Sequence, residues 1–538
     1  MTRALPRRTG ALTLVAALAL SGALTGCSQG THEGALTVGT TDKVTGLDPA
    51  GSYDNGSFTV MNQVYPFLMN TPYGSPDPEP DIAVSAQLTS PTEYTVTLKP
   101  DLTFANGHAL TASDVKFSFD RQLAIKDPDG PAVLLSNLAE TEAVDDTTVV
   151  FHLKTPDDQT FAHVLSSPAG PIVDEEVFSA DRVTSDSDIV SGKPFAGPYT
   201  ITSFSLNEQV SYQANPVYQG LLDPPRTDKV NVSYYARSSS LKRDVQQGTI
   251  DVAYRSLSPA DVADLRKDDS VKVVEGPGGE IRYIVFNLNT QPYGATTDEV
   301  DPAKALAVRQ AVAHLIDRDA LSDYVYKGTF VPLYSYVPAG LTGATTPLQD
   351  LYGDGTGGPS VERAAQVLAE AEVTAPVTLN LQYTSDHYGP SSSDEYALIK
   401  NQLETGGLFR VKLQATEWVQ YSEDRIADLY PAYQLGWFPD YSDADNYLTP
   451  FFLIDNFLAN HFQDTTVNDE IVEQRATADP TARTALVEQI QTDVAAQLPT
   501  VPYLQSVQVA VTGTNVTGTE RTLDASYKFR YGVLARTE

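Results

Sequence analysis

One stretch of the sequence decides the fold class: Gly436-Trp437-Phe438-Pro439-Asp440-Tyr441-Ser442-Asp443-Ala444-Asp445-Asn446-Tyr447. It holds four aromatic residues and three carboxylates. A tryptophan three residues before an aspartate places an apolar wall beside an anion, which suits binding of a cationic group such as an amine. Asp440 follows Pro439 at a turn, from which its carboxylate can project into a cleft. The alternative is that the aromatics belong to a core and the acids to a solvated turn.

Other short motifs lie on both sides of this stretch. Together with Gly-Trp-x-x-Asp-Tyr-x-Asp, their order and spacing resemble the oligopeptide- and dipeptide-binding proteins of ABC importers, family 5 of the extracytoplasmic solute-binding proteins. The resemblance covers essentially the whole mature chain. The motifs are Leu47-Asp48-Pro49, Phe104-Ala105-Asn106-Gly107, Leu110-Thr111-Ala112-Ser113-Asp114-Val115, Gly197-Pro198-Tyr199, Asn215-Pro216-Val217-Tyr218, Gly248-Thr249-Ile250-Asp251-Val252, Phe286-Asn287, Val308-Arg309-Gln310-Ala311-Val312 and Ile316-Asp317-Arg318.

The resemblance implies an α/β fold with two lobes, similar to the type II periplasmic binding proteins of cluster C. An extra subdomain is expected within lobe I, and the ligand is expected between the lobes. The predicted segments are 1–26 signal peptide, 27–34 tether, 35–72 first part of lobe I, 73–190 inserted subdomain, 191–288 second part of lobe I, 289–500 lobe II and 501–538 return to lobe I.

Asp440 corresponds to the family aspartate that pairs with the free α-amino group of a bound peptide. Trp437 and Trp418 match tryptophans that line the side-chain pockets, and Tyr441 adjoins Asp440. The resemblance therefore predicts that these four residues bind the ligand.

The opposite end of the ligand is less defined. Tyr53 and Asn55 fall in the family's N-terminal loop, which runs beside the ligand. His387 lies near a histidine that some relatives use for the peptide carboxylate, although a surface histidine fits as well. Some oligopeptide binders carry an arginine three residues before the cleft tryptophan, and here that residue is Gln434. Carboxylate recognition is therefore expected to lie elsewhere or to be weaker.

Length and charge agree with this interpretation. The chain has 538 residues, whereas a single hydrophobic core stops growing at roughly 250–300 residues, so at least two lobes are expected. A formal net charge of −33 would repel a phosphate backbone, which excludes nucleic acid as a partner. Alternating residues such as Tyr94 to Leu98 predict strands, and the spacing from Val308 to Ile316 predicts a helix with one buried face.

The N-terminus predicts export and lipidation. Three arginines precede an apolar run from Ala11 to Leu20, which is shorter than a membrane span. Leu24-Thr25-Gly26-Cys27 follows and resembles the lipobox of bacterial lipoproteins. Cys27 is the only cysteine, so no disulfide can form within the chain. The alternative is an ordinary cleavage site, but we expect a lipid anchor at Cys27 on the extracytoplasmic face of the cell membrane.

Motifs of catalysis are missing. The chain lacks His-Glu-x-x-His, Cys-x-x-Cys and the phosphate-binding Gly-x-x-x-x-Gly-Lys motif, and Gly-x-Ser-x-Gly occurs only at residues 26–30, across the predicted cleavage site. Asp127-Pro128-Asp129-Gly130 resembles half of a calcium loop, but Leu138 stands where the bidentate glutamate would be, which favours a simple turn. We therefore expect no catalytic residues, no metal and no cofactor.

The predicted protein is a lipid-anchored, monomeric receptor that captures short peptides and delivers them to an ABC permease and its ATPase. The main alternative is a secreted acidic glycosidase that uses two of Asp440, Asp443 and Asp445 as acid and base. Others are an adhesin or sensor without a transport partner, or a family member for nickel chelates, opines or sugars.

Overall fold

The computed structural model describes residues 34–255 and 257–537. The predicted signal peptide, Cys27 and the tether up to residue 33 lie outside the described residues. Within the described ranges, every helix is too short or too polar to cross a bilayer.

The strands are β1 Ala35–Thr40, β2 Met69–Asn70, β3 Glu79–Pro80, β4 Ala83–Ser90, β5 Glu93–Leu98, β6 Leu138–Ala143, β7 Thr148–Leu153, β8 Tyr199–Ser205, β9 Gln209–Ala214, β10 Lys229–Tyr234, β11 Val252–Tyr254, β12 Val271–Phe286, β13 Phe330–Pro332, β14 Val377–Thr384, β15 Phe409–Thr416, β16 Ala432–Trp437, β17 Thr500–Gly513, β18 Val516–Thr517 and β19 Ala535–Arg536.

The α-helices are α1 Asn55–Val64, α2 Ala112–Ile125, α3 Phe161–Val164, α4 Asp186–Gly192, α5 Ser238–Gln246, α6 Pro259–Leu265, α7 Pro302–Leu315, α8 Arg318–Ala320, α9 Pro347–Leu351, α10 Val361–Glu370, α11 Ser392–Glu404, α12 Trp418–Ile426, α13 Asp445–Phe452, α14 Thr465–Ala476, α15 Pro480–Gln497 and α16 Thr519–Thr522.

Two long antiparallel strands, β12 and β17, run through the middle of the main sheet. The sheet order is β15-β14-β16-β12-β17-β11-β1-β10-β9-β8, with β13 added on β17. The end of β17 near Val511 pairs with β11, whereas the far end of β12, from Ile281 to Phe286, pairs with β16. The β12–β17 register shifts between Pro277 and Ile281, so the ladder bulges between the two halves of the sheet. The predicted mixed α/β fold with two lobes is confirmed.

The inserted subdomain is built on a separate four-stranded sheet, in the order β4-β5-β7-β6. The pattern Glu93–Leu98 alternates buried and less buried residues, as the sequence predicts for a half-buried strand. Helix α2 begins with a reciprocal capping box between Thr111 and Asp114, which satisfies backbone donors at its first turn. The residues buried together in this part lie between Leu68 and Ala196.

Each lobe has its own apolar core. One core joins residues 36–65, 173–254 and 510–534, and the other joins residues 281–504 with Ala525. The exact boundaries stated above stay predictions.

The N-terminal loop that carries Tyr53 is held by a buried ion pair. Arg121 of α2 donates to both carboxylate oxygens of Asp48, at 2.8 and 2.5 Å, and the two side chains are 2% and 1% exposed. The backbone N–H groups of Ala50 and Thr184 also donate to Asp48. The Leu47-Asp48-Pro49 motif therefore fixes the loop that leads to Tyr53.

Candidate functional site

A cavity of about 740 Å³ lies between the lobes. Such a volume falls within the ~300–1,000 Å³ common for sites that bind small ligands. All seven residues predicted to bind the ligand line it: Tyr53, Asn55, His387, Trp418, Trp437, Asp440 and Tyr441. Tyr53 and Tyr441 are 388 residues apart in the sequence, and the fold brings them together at this cavity.

Asp440 is held by three hydrogen bonds. Its backbone N–H donates to Asn446 Oδ1 at 2.9 Å, and Asn446 Nδ2 donates to Asp440 Oδ2 at 3.1 Å. The Tyr53 hydroxyl, from the other side of the cavity, donates to Asp440 Oδ1. Trp437 ends β16 and Asn446 lies in the first turn of α13, so a strand and a helix position the turn that carries Asp440.

The carboxylate of Asp440 has no cationic partner among the residues that the structure describes. Burial raises the pKa of Asp440, while the hydrogen bonds from Tyr53 and Asn446 oppose that rise. Burial, and then the charge of Asp440, raise the pKa of the Tyr53 hydroxyl, which therefore stays a donor. Among the described residues, hydrogen bonds orient this anion and no positive charge neutralises it.

Aromatic side chains form two walls of the cavity. Trp437 packs edge-on against Phe451, with ring centroids 5.0 Å apart, and its Nε1–H donates to Asn446 Oδ1 at 3.0 Å. Trp418 stacks on His387, with centroids 3.6 Å apart and planes 7° from parallel. Burial, and then the charge of Arg282, lower the pKa of His387, so this histidine is neutral at neutral pH.

The other two acids of the stretch 436–447, Asp443 and Asp445, make contacts within the protein. Arg483 donates to both oxygens of Asp443, at 2.8 and 2.7 Å, and His163 Nε2 lies 3.4 Å from Asp443. Asp445 accepts hydrogen bonds of 2.5 Å from Thr449 and from Gln474. Burial raises the pKa of Asp445, and the charge of Arg475 opposes that rise. Of the three acids, Asp440 is therefore the one on which no described cation acts.

Gln434 points into the core of the second lobe. Its side chain is fully buried, accepts from the backbone N–H of Thr384 at 3.1 Å and donates to Glu395 Oε2 at 3.0 Å. Burial raises the pKa of Glu395 to about 7. Gln434 is therefore committed to core contacts and does not reach the ligand cavity.

Sequence reasoning missed several residues of the cavity wall, among them Arg255, Glu280, Tyr388 and Asn446. Glu280 lies in the bulge of β12, after the glycines at 278 and 279, which were the only local signal. A second cavity of about 600 Å³ adjoins the first and shares Arg255, Glu280, His387, Tyr388 and Phe438 with it.

Polar contacts join the two sides of the cavity. Ser442 Oγ donates to the Pro76 carbonyl at 2.5 Å, and Arg475 lies 3.3 Å from Asp158. The backbone N–H of Gln159 also donates to the Arg475 carbonyl at 2.8 Å. These contacts join the inserted subdomain to the second lobe beside the site. Within the described ranges, no group of three or more His, Cys, Asp or Glu residues is arranged to hold a metal ion.

Comparison with known proteins defines the class. The family model of the bacterial extracellular solute-binding proteins, family 5 (middle region), matches residues 77–457. The chain belongs to this family, which confirms the predicted family.

Relatives match over nearly the whole length. The chain is 24% identical over 542 aligned positions to the dipeptide-binding protein DppE of Bacillus subtilis, covering 94% of this chain and 95% of that protein. It is 26% identical to heme-binding protein A of Haemophilus influenzae, over 88% of this chain and 87% of that protein. The structure of HbpA2 from Haemophilus parasuis superposes with a TM-score of 0.77 at 22% identity, over 94% of this chain and 100% of that one.

Proposed function

We propose that this protein captures short peptides with a free α-amino group and delivers them to an ABC importer. The observation that carries the proposal is Asp440, a partly buried carboxylate that faces an interlobe cavity without a cationic partner among the described residues. The name of the Bacillus subtilis relative as a dipeptide-binding protein supports the same ligand class.

An ammonium group would satisfy this arrangement. Burial of an unpaired carboxylate is unfavourable, and a ligand cation removes the penalty by forming a charge-assisted hydrogen bond. Trp437 flanks the anion, so the carbon atoms next to the ammonium meet an apolar surface. The ligand would touch both lobes, and its contacts would shift the protein towards a closed state.

Titration of paired peptides tests the proposal. Asp440→Asn keeps the size of the side chain and removes its charge, so it should weaken binding of a free-amine peptide by about 2–5 kcal/mol. The N-acetylated form of the same peptide should bind the wild type poorly and change little in the variant. Asp350→Asn, on an exposed residue of α9, is the matched control.

Isothermal titration calorimetry of both peptides against the three proteins gives a complete cycle. Equal affinity of the wild type for both peptides would show that Asp440 does not bind the amine. A protein that binds hemin but no peptide would contradict the peptide proposal as a whole.

The chemistry of the acidic stretch supports a binding protein without catalytic activity. Glycoside hydrolysis requires two available carboxyl groups on opposite sides of the bond. Asp443 is neutralised by Arg483, and Asp445 is held by Thr449 and Gln474. Turnover of any glycoside that depends on Asp440 would contradict this part of the proposal.

The remaining parts of the proposal concern the cell surface. We expect a monomer that is anchored by lipid on Cys27, on the extracytoplasmic face of the membrane, and that docks on a permease with its ATPase. Cys27→Ser should release the protein into the medium, as membrane fractionation would show. A variant that still sediments with membranes would reveal a different anchor.

A further inference from the structure

A peptide that places its ammonium at Asp440 must place its carboxylate elsewhere in the same cavity. Gln434 does not receive it, because its amide is used by Thr384 and Glu395 inside the core. His387 is neutral at neutral pH and stacks flat on Trp418. The carboxylate therefore needs a cation from another part of the wall.

Two of the arginines that line the cavities are already engaged with acids. Arg475 lies 3.3 Å from Asp158. Arg282 is 3% exposed, lies 2.7 Å from Glu280 and stacks on the Tyr388 ring at 4.3 Å. An additional anion at either position would compete with a carboxylate that is already bound there.

Arg255 also has an acidic neighbour, but its contact with that acid is the longest of the three, at 3.6 Å against 3.3 and 2.7 Å. It lines the 740 Å³ cavity, the adjoining 600 Å³ cavity and a smaller one beside Asp440, so it lies where the three spaces meet. Its side chain is 30% exposed, and its charged neighbour is Asp42, whose Oδ1 is 3.6 Å from Arg255 Nε. Among the residues that the structure describes, the guanidinium donates no hydrogen bond. Its two terminal nitrogens are available to a ligand.

The backbone and an aromatic ring hold Arg255 in place. Its φ of 60° lies in the left-handed region, which a non-glycine residue keeps only where the surrounding contacts hold it. Tyr254, directly before it, stacks on Phe529 with ring centroids 3.8 Å apart. The guanidinium lies over Phe438, 5.0 Å from the ring centroid, and Phe438 is two residues before Asp440.

We propose that Arg255 binds the carboxylate of the ligand whose ammonium pairs with Asp440, so that the two ends of a short peptide are recognised from opposite lobes. This inference rests on the proposed function. A guanidinium presents two parallel donors to a carboxylate, and stacking on Phe438 leaves those edge donors free. Peptides with both termini free are then the preferred ligands, and closure brings the two charges to their partners.

The test compares a free peptide with its C-terminal amide, both with a free amine. Wild type should bind the free acid at least about tenfold more tightly than the amide, and Arg255→Gln should remove most of that difference while its affinity for the amide stays within about twofold. Arg255→Lys should keep part of the preference for the free acid, because the positive charge remains but the two parallel donors of the guanidinium are lost. Arg410→Gln, an exposed arginine on β15, controls for the change in net charge.

The outcomes separate this inference from the proposed function. Equal loss of affinity for both peptides in Arg255→Gln would mean that Arg255 only joins the lobes through Phe438, and the inference would be wrong. Loss of the preference in Arg475→Gln with its retention in Arg255→Gln would move the carboxylate site to Arg475. Equal binding of acid and amide by the wild type would overturn the inference alone, whereas binding of neither would overturn the peptide proposal itself.

Discussion

The side chain of Asn446 binds Asp440 at two points. Its Oδ1 accepts the backbone N–H of Asp440 at 2.9 Å, and its Nδ2 donates to Asp440 Oδ2 at 3.1 Å. The same Oδ1 accepts the indole N–H of Trp437 at 3.0 Å. One amide therefore fixes both the anion and the aromatic wall beside it.

Asn446→Ala should weaken binding of free-amine peptides although Asn446 itself carries no charge. A hydrogen bond to a charged group contributes roughly 1.5–3 kcal/mol, so we expect a loss of about tenfold or more in affinity by calorimetric titration. Asn468→Ala, whose side chain accepts from the Ile454 N–H and does not line the cavity, is the control. Unchanged affinity in Asn446→Ala would show that Asp440 keeps its orientation without the clamp.

Affinity for amine ligands should fall as the pH is lowered. Burial raises the pKa of Asp440 in the free protein, and a bound ammonium favours the carboxylate, so binding lowers that pKa. Affinity is therefore highest above the pKa of the free protein and decreases as the pH falls through it, by up to about tenfold per pH unit. The affinity of the wild type at each pH is divided by that of Asp440→Asn. This ratio isolates the effect of Asp440, because the peptide titrates in the same way with both proteins. A flat ratio would contradict the assignment.

Ligand binding should reduce the radius of gyration measured by small-angle X-ray scattering, since both lobes contact the ligand. Asp158→Asn removes the charge that pairs with Arg475, at 3.3 Å, between the inserted subdomain and the second lobe, and should favour the open state. Its apparent affinity should then be a few-fold weaker, because a smaller fraction of the protein is closed. The same radius with and without saturating peptide would exclude closure.

Asp48→Asn should destabilise the protein, although Asp48 itself does not line the ligand cavity. It leaves Arg121 buried without its charge partner, and such a loss costs about 3–5 kcal/mol. The control is Asp181→Asn, whose exposed contact with Arg182 at 3.8 Å contributes about 0–1 kcal/mol at most. Denaturant unfolding should show a lower midpoint for Asp48→Asn alone. Equal midpoints would mean that the buried pair adds no stability.

Local elements of this fold follow from local sequence. The strand at Glu93–Leu98 and the buried face of α7 from Val308 to Leu315 were predictable, because alternation and helical spacing depend on neighbouring residues. The position of Asp440 was predictable for another reason, since its motif resembles a known family. The predicted ligand roles of the seven residues stay predictions, although the fold gathers all of them around one cavity.

The rest of the site depends on contacts between distant segments. Arg255 and Phe438 are 183 residues apart, and no pattern around Arg255 distinguishes it from a surface arginine. In the sequence, nothing distinguishes Asn446 from any other residue in the first turn of a helix. Its contact with Asp440 depends on how α13 packs beside the turn after β16. The roles of such residues can be recognised only from the tertiary structure.

The bulge between Pro277 and Ile281 lies on the strands that cross between the lobes and also contributes to the cavity walls. Gly279 lies in it, its carbonyl accepts the Tyr447 hydroxyl at 2.7 Å, and a Cβ there would come within 2.7 Å of Pro439, next to Asp440. The crossing strands can therefore not bend at this point without moving the turn that carries the anion. Substitutions here would alter the rate of opening and the lifetime of the bound ligand together, so release to a permease would be set by the backbone of the crossover as much as by the groups that contact the ligand.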